Sequence, residues 1–368
     1  MILKNYKKIV IKIGSTTLIN PLSEKLKINW LKSICQDIDE LFKAGKKITI
    51  VSSGAIALGK KIISNYKPIV RLEDKQAAAA IGQIELAKHW QLGLRKHNIN
   101  SAQLLLTLND SEERRRYLNA RKTITSLQNN KVIPVVNEND TVATEEIRYG
   151  DNDRLAARVA QMMDADLLIM LSDIDGLYTS NPLNNKLAKR INNIKNIDDE
   201  IEKMADKKFS IFGSGGMKTK IWAAKICLNS GCSTVIANGQ KLNPLKSITK
   251  LNSTWFHSES LPSSARKKWL LNHLHPSGTA IIDDGAIKAL FANKSLLPAG
   301  ILEIKGKFNR GDVITINNKH DKKIAIGVVA YDSNDAKKII GKKSNEILSI
   351  LGYEKRDELI HKDDLVII

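Results

Sequence analysis

Five short stretches carry the side chains that could do chemistry, and most of them directly follow an apolar run. The first is Lys12-Ile13-Gly14-Ser15-Thr16. A strand lysine followed by a Gly-Ser-Thr turn suits a phosphate, because the turn supplies backbone N–H donors and the ammonium is a mobile point charge. The same residues also fit a strand whose exposed face simply ends in lysine. They are not a P-loop, since no G-x-x-x-x-G-K-[ST] pattern occurs. The second stretch, Ser52-Ser53-Gly54-Ala55, opens a helix. It reads either as an anion-binding helix start or as an ordinary serine cap with a glycine turn.

The densest polar cluster comes third: Asn137-Glu138-Asn139-Asp140, followed shortly by Asp151-Asn152-Asp153-Arg154. One Asp or Asn suffices to cap a helix, so this set exceeds what capping needs. It could hold a ligand ammonium, orient lysines or approach a Mg²⁺–nucleotide; a solvated acidic loop is the plainer reading. The fourth stretch is Ser172-Asp173, again a hydroxyl and a carboxylate at a strand's end. The fifth, Gly213-Ser214-Gly215-Gly216-Met217-Lys218-Thr219-Lys220, is a glycine-rich loop entering a helix. Its glycines let backbone approach a polyphosphate, and Lys220 lies about one helical turn in. Lys12 and Lys220 together would cradle a transferring phosphoryl group, with ATP at one end and a small zwitterionic or anionic acceptor at the other. No Ser/His/Asp set, no metal-ligand histidine spacing and no nucleophilic cysteine context is present.

The elements that must position these residues are legible as a pattern. Short, unalternating β-branched runs at 9–13, 48–51, 102–106, 132–136, 167–171 and 234–237 fit strands covered on both faces. Helical stretches at 29–43, 72–96, 111–129, 151–163 and 216–230 lie between them. Strand alternating with helix predicts a mostly parallel sheet with helices on both faces, a three-layer α/β sandwich. Ligands of such sheets sit beyond the carboxyl ends of the strands, where the five stretches cluster.

The pattern changes near residue 255. The stretch 255–276, which contains His273 and His275, reads as a linker with one short helix. Beyond it, short strands separated by Gly, Asn and Asp predict a small β-rich domain. The division expected is therefore 1–257, 258–275 and 276–368. The chain has 368 residues and a formal net charge of +19, which invites a nucleic-acid reading. Residues 276–368, however, hold 15 basic and 13 acidic side chains, so nearly all of the excess lies in the first domain. A Lys-rich compositional habit explains it more simply. Three cysteines with no zinc spacing fit a reduced compartment, and no apolar run approaches a membrane span. A soluble, cytoplasmic protein is expected.

Taken in order, IKIGST, VSSGAIALG, QLLLT, RRRYLNARKT, PVVNENDTVA, YGDNDRLAA, SDIDGLYTSNP and GSGGMKTK closely resemble the glutamate 5-kinases of the amino acid kinase family. The C-terminal GTAIIDDGAIKAL, SLLPAGI, FNRGDVI and SNEILSILGY resemble the PUA domain. The resemblance implies transfer of phosphate from ATP to the γ-carboxylate of L-glutamate, opening proline biosynthesis. On matching positions it implies Lys12, Lys220 and Asp153 as catalytic residues. Ser53, Gly54, Asn137, Asp140 and Asn152 would bind glutamate. Lys12, Gly14, Ser172, Asp173 and the run Ser214, Gly215, Gly216, Met217, Lys218, Thr219 and Lys220 would hold ATP. Ser172 and Ser214 stand where threonine is common, and both keep the hydroxyl.

Mg²⁺ is expected to arrive with ATP, with no protein-only metal site. The resemblance further implies homo-oligomers, feedback inhibition by proline and a glutamyl phosphate reductase as the next enzyme. No membrane role and no specific RNA binding are expected. Sister kinases acting on N-acetylglutamate, aspartate, carbamate or UMP share the phosphate loops, so the acceptor cluster must separate them. An RNA-binding protein is the alternative from a different class.

Overall fold

The computed structural model describes residues 2–64, 71–142, 151–180, 182, 185–206, 216–259, 276–353 and 356–368. The chain divides into two compact units, Met1–Ser263 and Ser264–Ile368.

The first unit is built on one sheet with strands β1 (Lys8–Ile13), β2 (Lys47–Ser52), β3 (Asn100–Leu106), β4 (Val132–Glu138), β5 (Leu167–Ser172), β6 (Asn193–Ile194), β7 (Ser233–Asn238) and β8 (Ser253–Phe256). Their order is β3-β4-β2-β1-β5-β7-β8-β6. The first six in that order run parallel, and β8 reverses against β7. All six strands expected from the sequence are present, and the mostly parallel α/β architecture is as anticipated. The helices are α1 (Ser15–Leu18), α2 (Ile28–Lys43), α3 (Ala55–Ser64), α4 (Leu72–Arg95), α5 (Leu108–Glu112), α6 (Arg114–Asn129), α7 (Asp151–Met162), α8 (Asp199–Asp206) and α9 (Met217–Asn229).

Side chains of a strand alternate between its faces, and β1 shows what that does here. Ile9, Ile11 and Ile13 enter a core with Trp30, Ile34 and Ile38 of α2 and Leu86, Trp90 and Leu94 of α4. Val10 enters the opposite core, with Leu155, Ala156 and Val159 of α7 and Ile221 and Ala224 of α9. Lys12 has the parity of Val10. It therefore rises, buried, on the α7/α9 face at the carboxyl end of the central strand.

Two readings of the chain change. The stretch 111–129 is not one helix: Glu113 ends α5 and its carboxylate caps α6 by accepting from the Arg115 amide, so the chain turns there. Trp255 and Phe256, read as the start of a linker, are buried in β8, where backbone pairing to β7 and the apolar core hold them. Most of the expected linker, 260–275, lies outside the described residues.

Helices α3 and α4 pack backbone to backbone through two glycines. A Cβ on Gly59 would lie 1.9 Å from the Ala78 carbonyl oxygen, and one on Gly82 the same distance from that of Ala55. Only hydrogen fits at either place.

The second unit has a five-stranded sheet, β10-β9-β11-β12-β13, from β9 (Gly278–Ile282), β10 (Ile301–Gly306), β11 (Val313–Asn317), β12 (Lys323–Val328) and β13 (Leu365–Ile367). Its core includes Ile282, Ile314, Ile316, Tyr331 and Ile347. Short helices at Asp284–Phe291 and Ser333–Ile339 are capped by Asp283 and Asp332. The unit is β-rich, as its turn-punctuated sequence predicts.

Candidate active site

The chain switches sides of the sheet at β1: β2, β3 and β4 lie to one side of it, β5 and β7 to the other. Crevices at such switch points, beyond the carboxyl ends of the strands, are where open α/β sheets bind ligands. All five polar stretches have described residues there.

At the centre is an ion triad. Lys12 Nζ, from β1, lies 2.7 Å from Asp153 Oδ1, and Lys220 Nζ, from α9, donates to Asp153 Oδ2 at 3.0 Å. Asp153 exposes none of its surface. Thr219 Oγ1 lies 2.8 Å from the same carboxylate oxygen and 2.8 Å from the Gly216 carbonyl oxygen, tying the start of α9 to α7. Outside the triad, the Arg154 guanidinium stacks 4.3 Å from the Trp222 ring centroid, a second clasp between the same helices.

The electrostatics reflect burial and proximity. Burial pushes the Asp153 carboxyl up, but the two ammonium groups outweigh it and hold the group well below the usual carboxylate range. Burial lowers the Lys12 ammonium; Asp153 opposes that shift and Lys220 adds to it. One carboxylate thus holds two cations at a single place, leaving a net positive centre for an anion carrying several charges.

On the β2/β4 side lies a relay of neutral polar groups. Asn152 Nδ2, on α7, donates to Ser53 Oγ at 2.7 Å and to Asn137 Oδ1 at 3.2 Å. Asn137, buried at the end of β4, donates through Nδ2 to Gln83 Oε1 of α4 at 2.7 Å. Helix α4 also grips the end of β2, where Trp90 Nε1 donates to Ser52 Oγ at 2.9 Å. Gly54 comes next at φ +115°, a conformation L side chains rarely adopt. Asp140 sits in a short 3₁₀ turn after β4, and burial pushes its carboxyl up to about 6. The first turn of α7 therefore serves both halves, since Asn152 enters the relay and Asp153 the triad.

On the β5/β7 side, Ser172 is buried and donates through Oγ to Asp173 Oδ1 at 2.9 Å, while Asp173 is exposed. The Gly14 amide donates to the Leu171 carbonyl at 3.4 Å, so Gly14 itself offers no free donor. Ser15 and Thr16 form the first turn of α1, where amides have no carbonyl partner within the helix. Gly216 precedes α9 with extended backbone, and Met217 is buried in the core. Lys218 is exposed. Ser214 and Gly215 lie outside the described residues. Among the described residues no group of three or more His, Cys, Asp or Glu side chains could hold a metal ion.

The sequence pointed to neither Gln83 nor Trp90. Both lie on one face of α4, seven residues apart, and both reach strand ends that carry site residues. A glutamine directly after the helix-contact Gly82, inside an alanine-rich helix, is the only local signal of Gln83.

Comparison with known proteins gives the family of the chain. The profile of the amino acid kinase family matches residues 7–238, and that of the PUA domain matches residues 278–351. The chain is 53% identical over 365 residues to a glutamate 5-kinase of Agrobacterium fabrum, covering 99% of this chain and 94% of that one. It is 49% identical to a glutamate 5-kinase of Paramagnetospirillum magneticum, covering 98% and 97%. Among solved structures, UMP kinase from Bacillus anthracis superposes with a TM-score of 0.50 at 15% identity, over 69% of this chain and 97% of that one. That likeness shows the fold alone.

Proposed function

Since this chain belongs to the amino acid kinase family, and within it to the glutamate 5-kinases, we propose that Lys12, Asp153 and Lys220 carry the family's phosphoryl transfer here. The reaction is ATP plus L-glutamate giving ADP and L-glutamyl 5-phosphate, the first step of proline biosynthesis. A γ-carboxylate oxygen attacks the γ-phosphorus, and the bond from that phosphorus to the oxygen bridging it to ADP breaks. The acceptor carboxylate is already ionised at neutral pH, so no general base is required. What the protein must supply is position and positive charge around a loosely bonded phosphoryl group.

The Lys12–Asp153–Lys220 triad carries this reading. Asp153 is the positioning residue, and its carboxylate sets the two ammonium groups at one spacing. Lys12 and Lys220 then neutralise charge on the transferring group. Ser53, Gly54, Asn137, Asp140 and Asn152 form the glutamate side, with Asp140 facing the α-ammonium. Gly14, Ser172, Asp173 and the loop from Ser214 to Lys220 form the nucleotide side. Mg²⁺ would enter as part of the MgATP substrate, since this ion is usually held by one or two carboxylates together with substrate phosphates.

Proline acts as feedback inhibitor, a glutamyl phosphate reductase consumes the labile product, and the enzyme works as a homo-oligomer in the cytoplasm. Among the described residues no helix is long and apolar enough to cross a membrane. The RNA-binding alternative draws no support from charge, because residues 276–368 are nearly neutral. The test is hydroxamate trapping of the acyl phosphate across glutamate, N-acetylglutamate and aspartate, with and without proline. Trapping with glutamate is expected; trapping with aspartate alone would refute the assignment.

A further inference from the structure

The relay Gln83–Asn137–Asn152–Ser53 has a direction, and the direction is chemical information. A carboxamide carries one acceptor end and one donor end, so each link fixes the next. Gln83 Oε1 accepts from Asn137 Nδ2, which turns Asn137 Oδ1 toward Asn152. Asn137 Oδ1 then accepts from Asn152 Nδ2, which also donates to Ser53 Oγ. Both donor bonds of Asn152 are thereby used inside the protein. Its Oδ1 is left buried and without a partner among the described residues. Ser53 Oγ, having accepted, keeps its own proton to donate. The relay thus ends in one bare acceptor and one available hydroxyl donor, the two ends a zwitterion requires. Were the relay reversed, Asn152 would present its amide donor instead, and that would repel an ammonium.

We propose that Gln83 is a specificity-determining positioning residue: as the terminal acceptor of the relay, it turns Asn152 Oδ1 toward the substrate and selects an acceptor with a free α-ammonium. The inference rests on the glutamate reading of this site and deepens it. It accounts for discrimination against N-acylated glutamate, whose nitrogen carries no positive charge and only one hydrogen. Gln83 is well placed for the role. Gly82 beside it seats α4 directly on α3, and Trp90, on the same face, holds the end of β2, so the Gln83 side chain reaches Asn137 from a fixed backbone.

The test uses the full-length enzyme and three proteins: wild type, Gln83→Met and Gln83→Glu. Methionine keeps the length of the side chain and removes both hydrogen-bonding ends. Glutamate offers acceptors only and so enforces the direction described. Three quantities are read: KM for L-glutamate, KM for ATP, and inhibition by glutarate, which has both carboxylates and no ammonium. Gln83→Met is expected to raise KM for glutamate about tenfold, the scale of one hydrogen bond to a charged group, with KM for ATP and glutarate inhibition unchanged. Gln83→Glu is expected to restore most of that loss. Equal weakening of glutamate and glutarate, or no change in either, would overturn the inference while leaving the kinase reading intact. Failure of the wild type to phosphorylate glutamate would overturn both.

Discussion

Replacing Asp153 by Asn removes one charge and almost no volume, so the change isolates the electrostatics of the triad. In the wild type a single carboxylate lies 2.7 Å from the Lys12 ammonium and 3.0 Å from that of Lys220. At an effective dielectric constant of about 20, each contact is worth on the order of 6 kcal/mol before desolvation is subtracted. Removing one partner of a buried pair has a net cost of about 3–5 kcal/mol, because the remaining charge is stranded. Here two cations are stranded and left facing each other. Lys12, already lowered by burial and by Lys220, loses the group that opposes both effects.

The expected result for Asp153→Asn is a kcat reduced by about 10²–10³-fold, the usual scale for losing a preorganised electrostatic contact. KM for glutamate should stay within about threefold. The melting temperature should fall by roughly 6–20 °C, at about 2–4 °C per kcal/mol for a domain of this size. The pH dependence carries a sign as well. The Asp153 pKa is depressed on folding, so its stabilisation is present above the unfolded carboxylate pKa and is lost as pH falls through the acid range. The variant lacks that acid loss. Its own deficit shrinks as pH rises toward the lysine range, since a lysine with a depressed pKa neutralises more readily in the folded state. Steady-state kinetics, with thermal melts at pH 7 and 9.5, read these outcomes together. A variant with kcat within threefold of wild type and an unchanged melting temperature would refute the triad as the catalytic centre.

Lys220→Ala should lower kcat by about 10²–10³-fold while KM for glutamate moves little, because the contact strengthens only as charge develops on the transferring group; near-normal turnover would remove Lys220 from the mechanism. Asp140, pushed up to about 6 by burial, must be ionised to face an ammonium, so KM for glutamate should rise about tenfold between pH 7 and pH 5. A raised pKa also means that the ligand-free fold loses stability as pH rises from the ordinary carboxylate range to about 6, and that the loss is complete above it. Asp140→Asn should therefore raise the melting temperature at pH 8, weaken glutamate binding and flatten that pH dependence; a pH profile unchanged in the variant would contradict the assignment. Gly82→Ala would push a methyl against the Ala55 carbonyl and force α3 and α4 apart, at a cost of about 3 kcal/mol readable by urea denaturation. An unchanged midpoint would mean that the helix pair tolerates separation.

Much of the architecture was legible because parallel strands buried on both faces write themselves as short apolar runs. The residues that act at their ends are then small, polar and out of place against that background. Lys12 interrupts an otherwise aliphatic strand, and the Asn137–Asp140 and Asp151–Asp153 clusters exceed any capping need, so all three announced themselves. The break at Glu113 did not, because a single acidic residue inside a helical pattern carries no stop signal until its carboxylate is seen capping the next helix. Strand β8 was missed for a related reason: Ser253–Phe256 is four residues long, and its burial comes from pairing with β7 across an intervening loop.

The sequence by itself determined the six main parallel strands and their alternation with helices, the two lysines, and the near-neutral charge of residues 276–368, while the resemblance pointed to the carboxylate. It also placed the chemistry at strand ends. Only the tertiary structure decided that β1 lies between β2 and β5, and that Lys12 takes the α7/α9 face. Only it decided that one carboxylate of α7 receives ammonium groups from elements far to either side of it in the chain. Gln83 belongs to the same class, since nothing local marks a glutamine whose meaning is the direction of a hydrogen bond. The physical reason is that spacing along a chain encodes periodicity and caps, which are local. Sheet order, strand parity and the polarity of an amide relay are properties of contacts between distant segments, fixed only when burial brings those segments together.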